Sequence, residues 1–268
     1  GGPSGPESQL RLRLDCWTRL QTLLPGRTCG DDAGILRRLR MIKSPAEIDK
    51  ISAACRVADA AFARVPEIAG QGTPLDEVFR AFQILCLEEG ADWVSYLAGG
   101  AGLGGYGDII APATSVPLAP GDVLMLDTGA VRDGYFSDFD RNWTVGAPAR
   151  ATKDAYTQLL DASAAAFEAA RPGATAADLF HAMDAVLTGG AGGSDAGRYG
   201  HGLGMQLTEW PSLIPADHTV LAAGMVLTLE PGLVTATGTT LVHEENIVIT
   251  QTGARYLSTP APRDIPVI

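Results

Sequence analysis

The sequence predicts an α+β fold made of two similar halves, which span about residues 45–146 and 151–251. Each half runs in the order helix, helix, strands, and then a hairpin that carries two acidic residues. Helices are predicted where apolar residues recur at helical spacing behind a capping residue, and strands where short apolar runs end at turn residues. Because the halves share this order although their residues differ, we expect a pseudo-twofold repeat in which the two acidic hairpins meet in the middle.

The first 40 residues contain only three short apolar clusters, at 10–14, 17–24 and 35–39. This is too little for a self-contained domain of ordinary size. We therefore predict that residues 1–40 are the remnant or the tail of an N-terminal domain, and that residues 41–268 form the main domain.

Two start signals predict the helices of the first half. Ser44-Pro45-Ala46-Glu47 combines an N-cap serine, a proline at the first helical position and a glutamate at the third, and the helix should run to about Arg64. Thr73-Pro74-Leu75-Asp76-Glu77 opens the second helix, which Glu89-Gly90 ends.

A predicted strand, Trp93–Leu97, is followed by a glycine-rich segment at 99–105 that contains the pattern Gly-x-Gly-x-x-Gly. In a dinucleotide-binding protein this pattern opens a helix, whose N-terminus holds the pyrophosphate. Here the prolines that follow prevent a helix. We therefore predict a glycine-rich loop that lets the backbone approach a pocket.

The first acidic hairpin carries Asp127 and Asp138. Apolar residues Val123–Leu126 lead into Asp127, and a turn signal lies at 132–134. A hairpin centred between Arg132 and Asp133 would make the two aspartates face each other, with Cβ atoms about 4.5–5.5 Å apart. Two like charges at that distance need a cation between them, or a proton on one of them. The alternative is two solvated aspartates near a turn, where this residue is common.

The second half repeats this arrangement. Thr152 and Thr175 each begin a helix, and two strand-like runs then flank a turn. Glu230 and Glu244 are placed symmetrically about Thr237, which lies inside that turn. The second hairpin is therefore also expected to bring two carboxylates together.

Composition excludes several partners. The chain has 20 basic and 31 acidic residues, a net charge of −11, and no cluster of lysine and arginine, which argues against nucleic acid. It has no run of eighteen apolar residues, and its first residues do not form a signal peptide, so we expect a cytoplasmic protein with no membrane partner. The four cysteines lack Cys-x-x-Cys spacing and are expected to be reduced.

One histidine, His201, lies between glycines in Gly200-His201-Gly202-Leu203-Gly204. A lone histidine is more often structural, but small neighbours mean that the backbone passes close to something, which favours a ligand. Four hard carboxylates and one imidazole suit two adjacent manganese, cobalt, iron or zinc ions, about 3.5–4 Å apart. The candidate ligands are Asp127, Asp138, His201, Glu230 and Glu244.

Six motifs follow one another over about residues 40–255. They are Arg40–Ile48, Leu126–Gly129, Ser137–Arg141, Gly200–Gly204, Leu229–Gly232 and His243–Asn246. The set resembles the pita-bread metallopeptidase family, which includes methionine aminopeptidase, aminopeptidase P, prolidase and creatinase. The resemblance implies the pita-bread (creatinase/aminopeptidase) fold, with helices packed on a curved antiparallel sheet. Residues 1–40 resemble the tail of the extra domain in the prolidase-like branch, where a partner subunit often completes the pocket, so we expect a homodimer.

The resemblance also assigns roles. Asp127 would chelate one metal, Asp138 and Glu244 would bridge both, and His201 and Glu230 would bind the other. The metals would activate a water and polarise the scissile carbonyl, while Glu230 acts as a general base and then as an acid.

Two departures from the family pattern leave the substrate open. The peptidases usually carry a histidine seven residues after the ligand histidine and another about seventeen before the first aspartate, and these positions are Thr208 and Ile110 here. The chain could be an Xaa-Pro dipeptidase or aminopeptidase that acts on small peptides. It could instead act on a small zwitterion, like ectoine hydrolase, creatinase or dimethylsulfoniopropionate lyase, with Thr208 as a catalytic residue. A catalytically inactive binding module is a third hypothesis, against which the five retained ligands argue.

Several aromatic residues could form a cage for a cationic or cyclic substrate. The candidates for substrate binding are Tyr96, Tyr106 and Trp210, with Trp93 beside them. The alternative is that they only pack in the core.

Overall fold

The computed structural model describes residues 12–28, 34–110, 112–191 and 197–268. It divides the chain into two units, Gly1–Arg40 and Met41–Ile268. Cys29 lies outside the described residues, whereas Cys16, Cys55 and Cys86 have free thiols. The assignment of residues 1–40 to a further N-terminal domain stays a prediction.

The described residues form seven helices and eleven strands. The helices are α1 (Leu14–Leu23), α2 (Ile35–Met41), α3 (Pro45–Ala63), α4 (Val65–Ile68), α5 (Leu75–Glu88), α6 (Arg150–Ala169) and α7 (Ala176–Thr188). The strands are β1 (Trp93–Leu103), β2 (Asp122–Arg132), β3 (Tyr135–Phe136), β4 (Phe139–Thr144), β5 (His201–Gly202), β6 (Glu209–Ser212), β7 (Val226–Leu229), β8 (Gly232–Val234), β9 (Thr240–Val242), β10 (Glu245–Ile249) and β11 (Ala254–Tyr256). Within the described ranges, no helix is long and apolar enough to cross a lipid bilayer.

Capping residues begin α3 and α7 where the sequence predicts them, whereas α6 begins at Arg150 without a side-chain cap, so the prediction that Thr152 begins it is wrong. At α3, the Ser44 hydroxyl accepts the Glu47 N–H, and the Glu47 carboxylate accepts the Ser44 N–H at 2.8 Å. The same reciprocal pair, Thr175 and Asp178, begins α7. Each pair satisfies N–H groups that the first turn of a helix leaves without an internal partner.

The helices pack on sheets around apolar cores, and the core of the first half also includes Val226 and Val248 of the second half. In the first half, α3 and α5 contribute Ile51 and Phe82 to a core that they share with the β2 residue Leu124. In the second half, α6 and α7 pack against β7 and β10. The sheets are antiparallel, in the orders β1-β2-β3 with β4 also on β2, β11-β10-β7-β5-β6, and β8-β9. The predicted repeat of helix, helix, strands and hairpin is therefore confirmed.

The prediction of a loop over the glycine-rich segment is wrong for its first part, because β1 continues through it to Leu103. Gly99 pairs with Leu126 of β2, and a Cβ at Gly99 would lie 2.2 Å from the Met125 carbonyl oxygen. The glycines therefore let two strands approach closely. This strand runs beside β2, which carries Asp127.

The first acidic hairpin has a different register from the predicted one. Its turn residues are Asp133 and Gly134, with φ values of 52° and 77°, as a two-residue turn of type I′ requires. Asp127 consequently pairs with Asp140, so the prediction that it faces Asp138 is wrong. The pairing is displaced by two positions, and because side chains alternate with a period of two, Asp138 stays on the same face of the sheet as Asp127.

The second acidic hairpin has the predicted centre. Leu229 pairs with Glu245 and Gly232 pairs with Val242, and both pairs are symmetric about Thr237. Glu230 and Glu244 lie opposite each other in the interval between these pairs, where the ladder is interrupted.

Candidate metal centre

Asp127 is the fifth residue of an otherwise apolar run in β2. The four residues before it are buried in the core, while Asp127 is only half-buried as a whole residue. Its Oδ1 atom is nevertheless inaccessible to solvent and has no hydrogen-bond partner within the described part of the chain. β2 therefore places one carboxylate oxygen in the interior, where no described residue donates a hydrogen bond to it.

His201 points its Nε2 atom at two carboxylates. Its Nδ1–H donates to the Gly202 carbonyl at 2.9 Å, and its backbone N–H donates to the Thr228 hydroxyl at 3.0 Å. A carbonyl can only accept, so the proton lies on Nδ1 and the Nε2 lone pair stays available as a ligand. Nε2 lies 3.3 Å from Asp138 Oδ2 and 3.8 Å from Glu230 Oε2.

The glycines beside His201 are required by close backbone contacts, as the sequence indicates. A Cβ on Gly202 would lie 2.1 Å from the Trp210 carbonyl oxygen, and one on Gly200 would lie 2.3 Å from the Thr228 carbonyl oxygen. β5 can therefore pass between β6 and β7 only without side chains at these positions.

Three of the predicted ligands form a buried cluster. Asp138, His201 and Glu244 each offer one ligand atom, and these atoms all lie within 4.8 Å of one another. Glu230 joins them through its contact with His201, and its other oxygen accepts a hydrogen bond from Arg198 Nε at 3.1 Å. Asp127 is not part of this cluster, but it lies near enough for the charges of Asp138 and Glu230 to raise the pKa of its carboxyl group.

The carboxylates of the cluster are costly to ionise without a cation. Burial raises the pKa of Asp127 and of Glu244 well above the usual range, and repulsion from Asp138 raises both further. Burial also raises the pKa of Asp138, although His201 opposes this. Burial by itself lowers the pKa of His201, but Glu230 and Asp138 outweigh it and raise that pKa overall.

The donor set fits divalent cations. Glu244 Oε1, like Asp127 Oδ1, is buried and accepts no hydrogen bond from the residues that are described. Buried acceptors are normally satisfied, and oxygen and imidazole ligands suit manganese, cobalt, iron and zinc. Among the described residues, Asp138, His201 and Glu244 form the group that could hold such an ion, and the roles of Asp127 and Glu230 as ligands stay predictions.

The other predicted site residues differ in their placement. Tyr96 is half-buried, and burial together with the charge of Asp127 raises the pKa of its hydroxyl. Tyr106 is fully buried, and its hydroxyl bonds Asn142 and the Val242 N–H. This environment favours packing, the alternative that the sequence left open. Thr208 is half-buried in the bend before β6.

Trp210 lies in β6, two residues after Thr208, and its indole N–H donates to the Thr219 hydroxyl at 3.2 Å. Trp93, at the start of β1, packs edge-on against Phe136. The aromatic cage and the catalytic role of Thr208 stay predictions.

Three residues near the cluster belong to the sequence motifs, but the sequence assigns them no role. Asp140, Arg141 and Asn246 bond the backbones of Glu244 and Asp138. Asp140 and Asn246 occupy equivalent positions, each two residues after the second acidic residue of its hairpin, but nothing in the sequence indicates what they bond.

Comparison with known proteins places the chain among metallopeptidases. The model of metallopeptidase family M24 matches residues 49–251. The Xaa-Pro dipeptidase of Pyrococcus furiosus is 32% identical over 229 residues, which are 84% of this chain and 65% of that protein. The Xaa-Pro dipeptidase of Pyrococcus horikoshii is 33% identical over 227 residues, which are 84% of this chain and 64% of that protein. The chain thus spans slightly less than two thirds of the length of these relatives.

Solved structures agree with this result. The prolidase from Pyrococcus horikoshii superposes with a TM-score of 0.87 at 28% sequence identity, covering 95% of this chain and 74% of that one. The predicted pita-bread fold of the prolidase-like branch is therefore confirmed.

Proposed function

Because this chain belongs to metallopeptidase family M24, we propose that it is a metal-dependent hydrolase of amide-type C–N bonds that acts on Xaa-Pro dipeptides or similar small peptides. The observation that carries the proposal is the buried cluster of Asp138, His201 and Glu244. Membership of the family implies divalent metal ions, and the Xaa-Pro dipeptidases among the relatives support a small peptide as the substrate.

We propose that the site holds two ions, each manganese, cobalt, iron or zinc. Asp127 would hold one of them, His201 and Glu230 the other, and Asp138 and Glu244 both. Bound in pairs, such ions lower the pKa of water and polarise a carbonyl group. Glu230 would take a proton from a water at the site and return it to the leaving nitrogen, which requires a carboxylate that can reach both. Its half-exposed position at the edge of the buried cluster supports this role.

The experiment that tests this function combines metal analysis with an assay on Xaa-Pro dipeptides in the presence of Mn²⁺. We expect bound divalent metal and turnover in the wild type, and the loss of both in Asp138→Ala and Glu244→Ala. Asp184→Asn is the matched control, because Asp184 is also a buried carboxylate but bonds Thr188 at the end of α7. A wild type that takes up no metal and has no activity would overturn the proposal and favour a binding module.

A second candidate function is turnover of a small cyclic or zwitterionic compound on the same site. Thr208 and Ile110 favour it, because both positions carry a histidine in the peptidases, and Ile110 is 68% exposed. The same assay should include ectoine-like compounds and creatine. Turnover of those compounds alone would replace the peptidase assignment.

We further propose a cytoplasmic homodimer that binds neither nucleic acid nor membranes. The net charge of −11 supports the absence of nucleic-acid binding. Light scattering coupled to size exclusion measures the oligomeric state, and a monomer at micromolar concentration would contradict the dimer.

A further inference from the structure

Two of the proposed ligands lie where the ladder of a hairpin is interrupted. Asp138 is between β3 and β4, and Glu244 is between β9 and β10. Both residues are buried. A buried backbone N–H or carbonyl needs a hydrogen-bond partner, and at these two positions the neighbouring strand does not supply one.

The side chain of Asn246 supplies the partners for Asp138. Its Oδ1 atom accepts the Asp138 N–H at 3.0 Å, and its Nδ2 atom donates to the Asp138 carbonyl. Asn246 is fully buried in β10, so it belongs to the second hairpin, while Asp138 belongs to the first.

The backbone of Glu244, in the second hairpin, is held by side chains of the first hairpin. Asp140 Oδ1 accepts the Glu244 N–H at 3.0 Å, and Arg141 Nη1 donates to the Glu244 carbonyl at 3.0 Å. Asp140 and Arg141 lie in β4, so here the first hairpin holds a ligand of the second.

These contacts are reciprocal between the two halves. Asp140 follows Asp138 by two positions and holds Glu244, while Asn246 follows Glu244 by two positions and holds Asp138. We propose that Asp140 and Asn246, called the clamp pair below, are positioning residues that set the separation of the Asp138 and Glu244 carboxylates and thereby the affinity for the cations. This inference rests on the metal site proposed above.

The physical reason is repulsion between the ligands. Two buried carboxylates on different hairpins move apart unless their backbones are fixed, and a cation site that opens loses its geometry. Outer-shell partners of metal ligands typically contribute 10–100-fold to metal affinity. We expect removal of either residue of the clamp pair to weaken metal binding by a factor in this range.

The test measures Mn²⁺ affinity by equilibrium dialysis, with circular dichroism to select folded variants. Asp140→Ala and Asn246→Ala remove the contacts. Asp140→Asn keeps an oxygen that can accept the Glu244 N–H. Asn142→Ala is the matched control, because Asn142 is a buried amide that also bridges the two hairpins, through the Val242 carbonyl at 2.8 Å, but contacts no proposed ligand.

We expect Asp140→Ala and Asn246→Ala to bind Mn²⁺ about 10–100-fold more weakly, and Asp140→Asn and Asn142→Ala to stay within about threefold of the wild type. If Asn246→Ala does not fold, the two Asp140 variants decide the question. Equal losses of Mn²⁺ affinity in Asp140→Asn and Asp140→Ala would show that the charge of Asp140 matters and its hydrogen bond does not. That result would overturn the positioning role. Equal losses in Asn142→Ala and the clamp variants would overturn it in favour of general packing.

Different results would contradict the clamp proposal and the proposed metal site. Normal uptake by the wild type, with unchanged affinity in Asp140→Ala and Asn246→Ala, overturns the clamp alone. A wild type that binds no Mn²⁺ overturns both.

Discussion

Lys43 and Glu209 form an ion pair, with Nζ 3.0 Å from Oε2, although both side chains are almost fully buried. Lys43 precedes α3, and Glu209 begins β6, directly after Thr208. Glu209 Oε1 also accepts the Gln206 N–H at 3.2 Å. The pair therefore joins the residues just before α3 to the start of β6.

The first prediction concerns this pair. Lys43→Met should lower the free energy of unfolding by about 3–5 kcal/mol, because it leaves a buried carboxylate without its cation. The double variant Lys43→Met/Glu209→Leu should recover part of the loss, since it removes both charges. Urea denaturation measures both values, and a double variant less stable than Lys43→Met would contradict the electrostatic explanation.

The second prediction concerns pH and the metal-free protein. Burial raises the pKa values of Asp127, Asp138 and Glu244, and raises the pKa of Asp140 to about 6. A carboxyl group whose pKa is higher in the folded state binds its proton more tightly there. Its contribution to stability therefore falls as pH rises from the unfolded pKa through the folded one.

The chelated protein should accordingly have a lower thermal midpoint at about pH 8 than at about pH 5, and Mn²⁺ should raise the midpoint more at the higher pH. Glu244→Gln, which removes one of these groups, should flatten the pH dependence of the chelated protein. An equally steep dependence in that variant would show that other groups cause it.

The third prediction concerns the glycine after His201. Gly202→Ala should destabilise the protein by about 1–3 kcal/mol or more, because its Cβ would collide with a backbone carbonyl that cannot turn away. Gly253→Ala is the control, since a Cβ there meets nothing within 4 Å. It should change stability by no more than about 0.5 kcal/mol. Similar losses in the two variants would contradict the close approach at β5.

The fourth prediction concerns Thr208. Its neighbours are fixed on both sides, because Leu207 fills the space beside Gly129 and Glu209 pairs with Lys43. If its hydroxyl contacts the substrate in the transition state, Thr208→Val should lower kcat/KM by about tenfold, which corresponds to about 1.4 kcal/mol. Unchanged kinetics on peptides and zwitterions alike would remove Thr208 from the site.

Local patterns in the sequence predicted the starts of α3 and α7 and the centre of the second hairpin. The capping contacts of α3 join Ser44 and Glu47, which are only three residues apart. The symmetry of the second hairpin about Thr237 follows from residue positions alone. The predicted register of the first hairpin is wrong because the residue types in Arg132-Asp133-Gly134 allow the turn to be formed by either adjacent pair. The positive φ values at Asp133 and Gly134 decide it. The error was two positions, so the face of Asp138 was still correct.

The clamp pair could not be predicted in the same way. Asp140 and Asn246 act across two hairpins that are separated by about a hundred residues, and their partners are backbone groups, which leave no mark on the sequence. Only the docked arrangement of the halves reveals what these polar side chains bond. The same holds for Lys43, whose partner is 166 residues away.

The reciprocal contacts between the hairpins also have a consequence for interpreting variants. Neither half contains all five of the proposed cation ligands, and each half holds the backbone of one ligand of the other. On the proposed ligand set, we expect cation occupancy to depend on the docking of the two halves, as well as on the residues that touch the ions. A substitution in a distant part of the boundary between the halves can leave every helix and strand intact and still produce a metal-deficient protein.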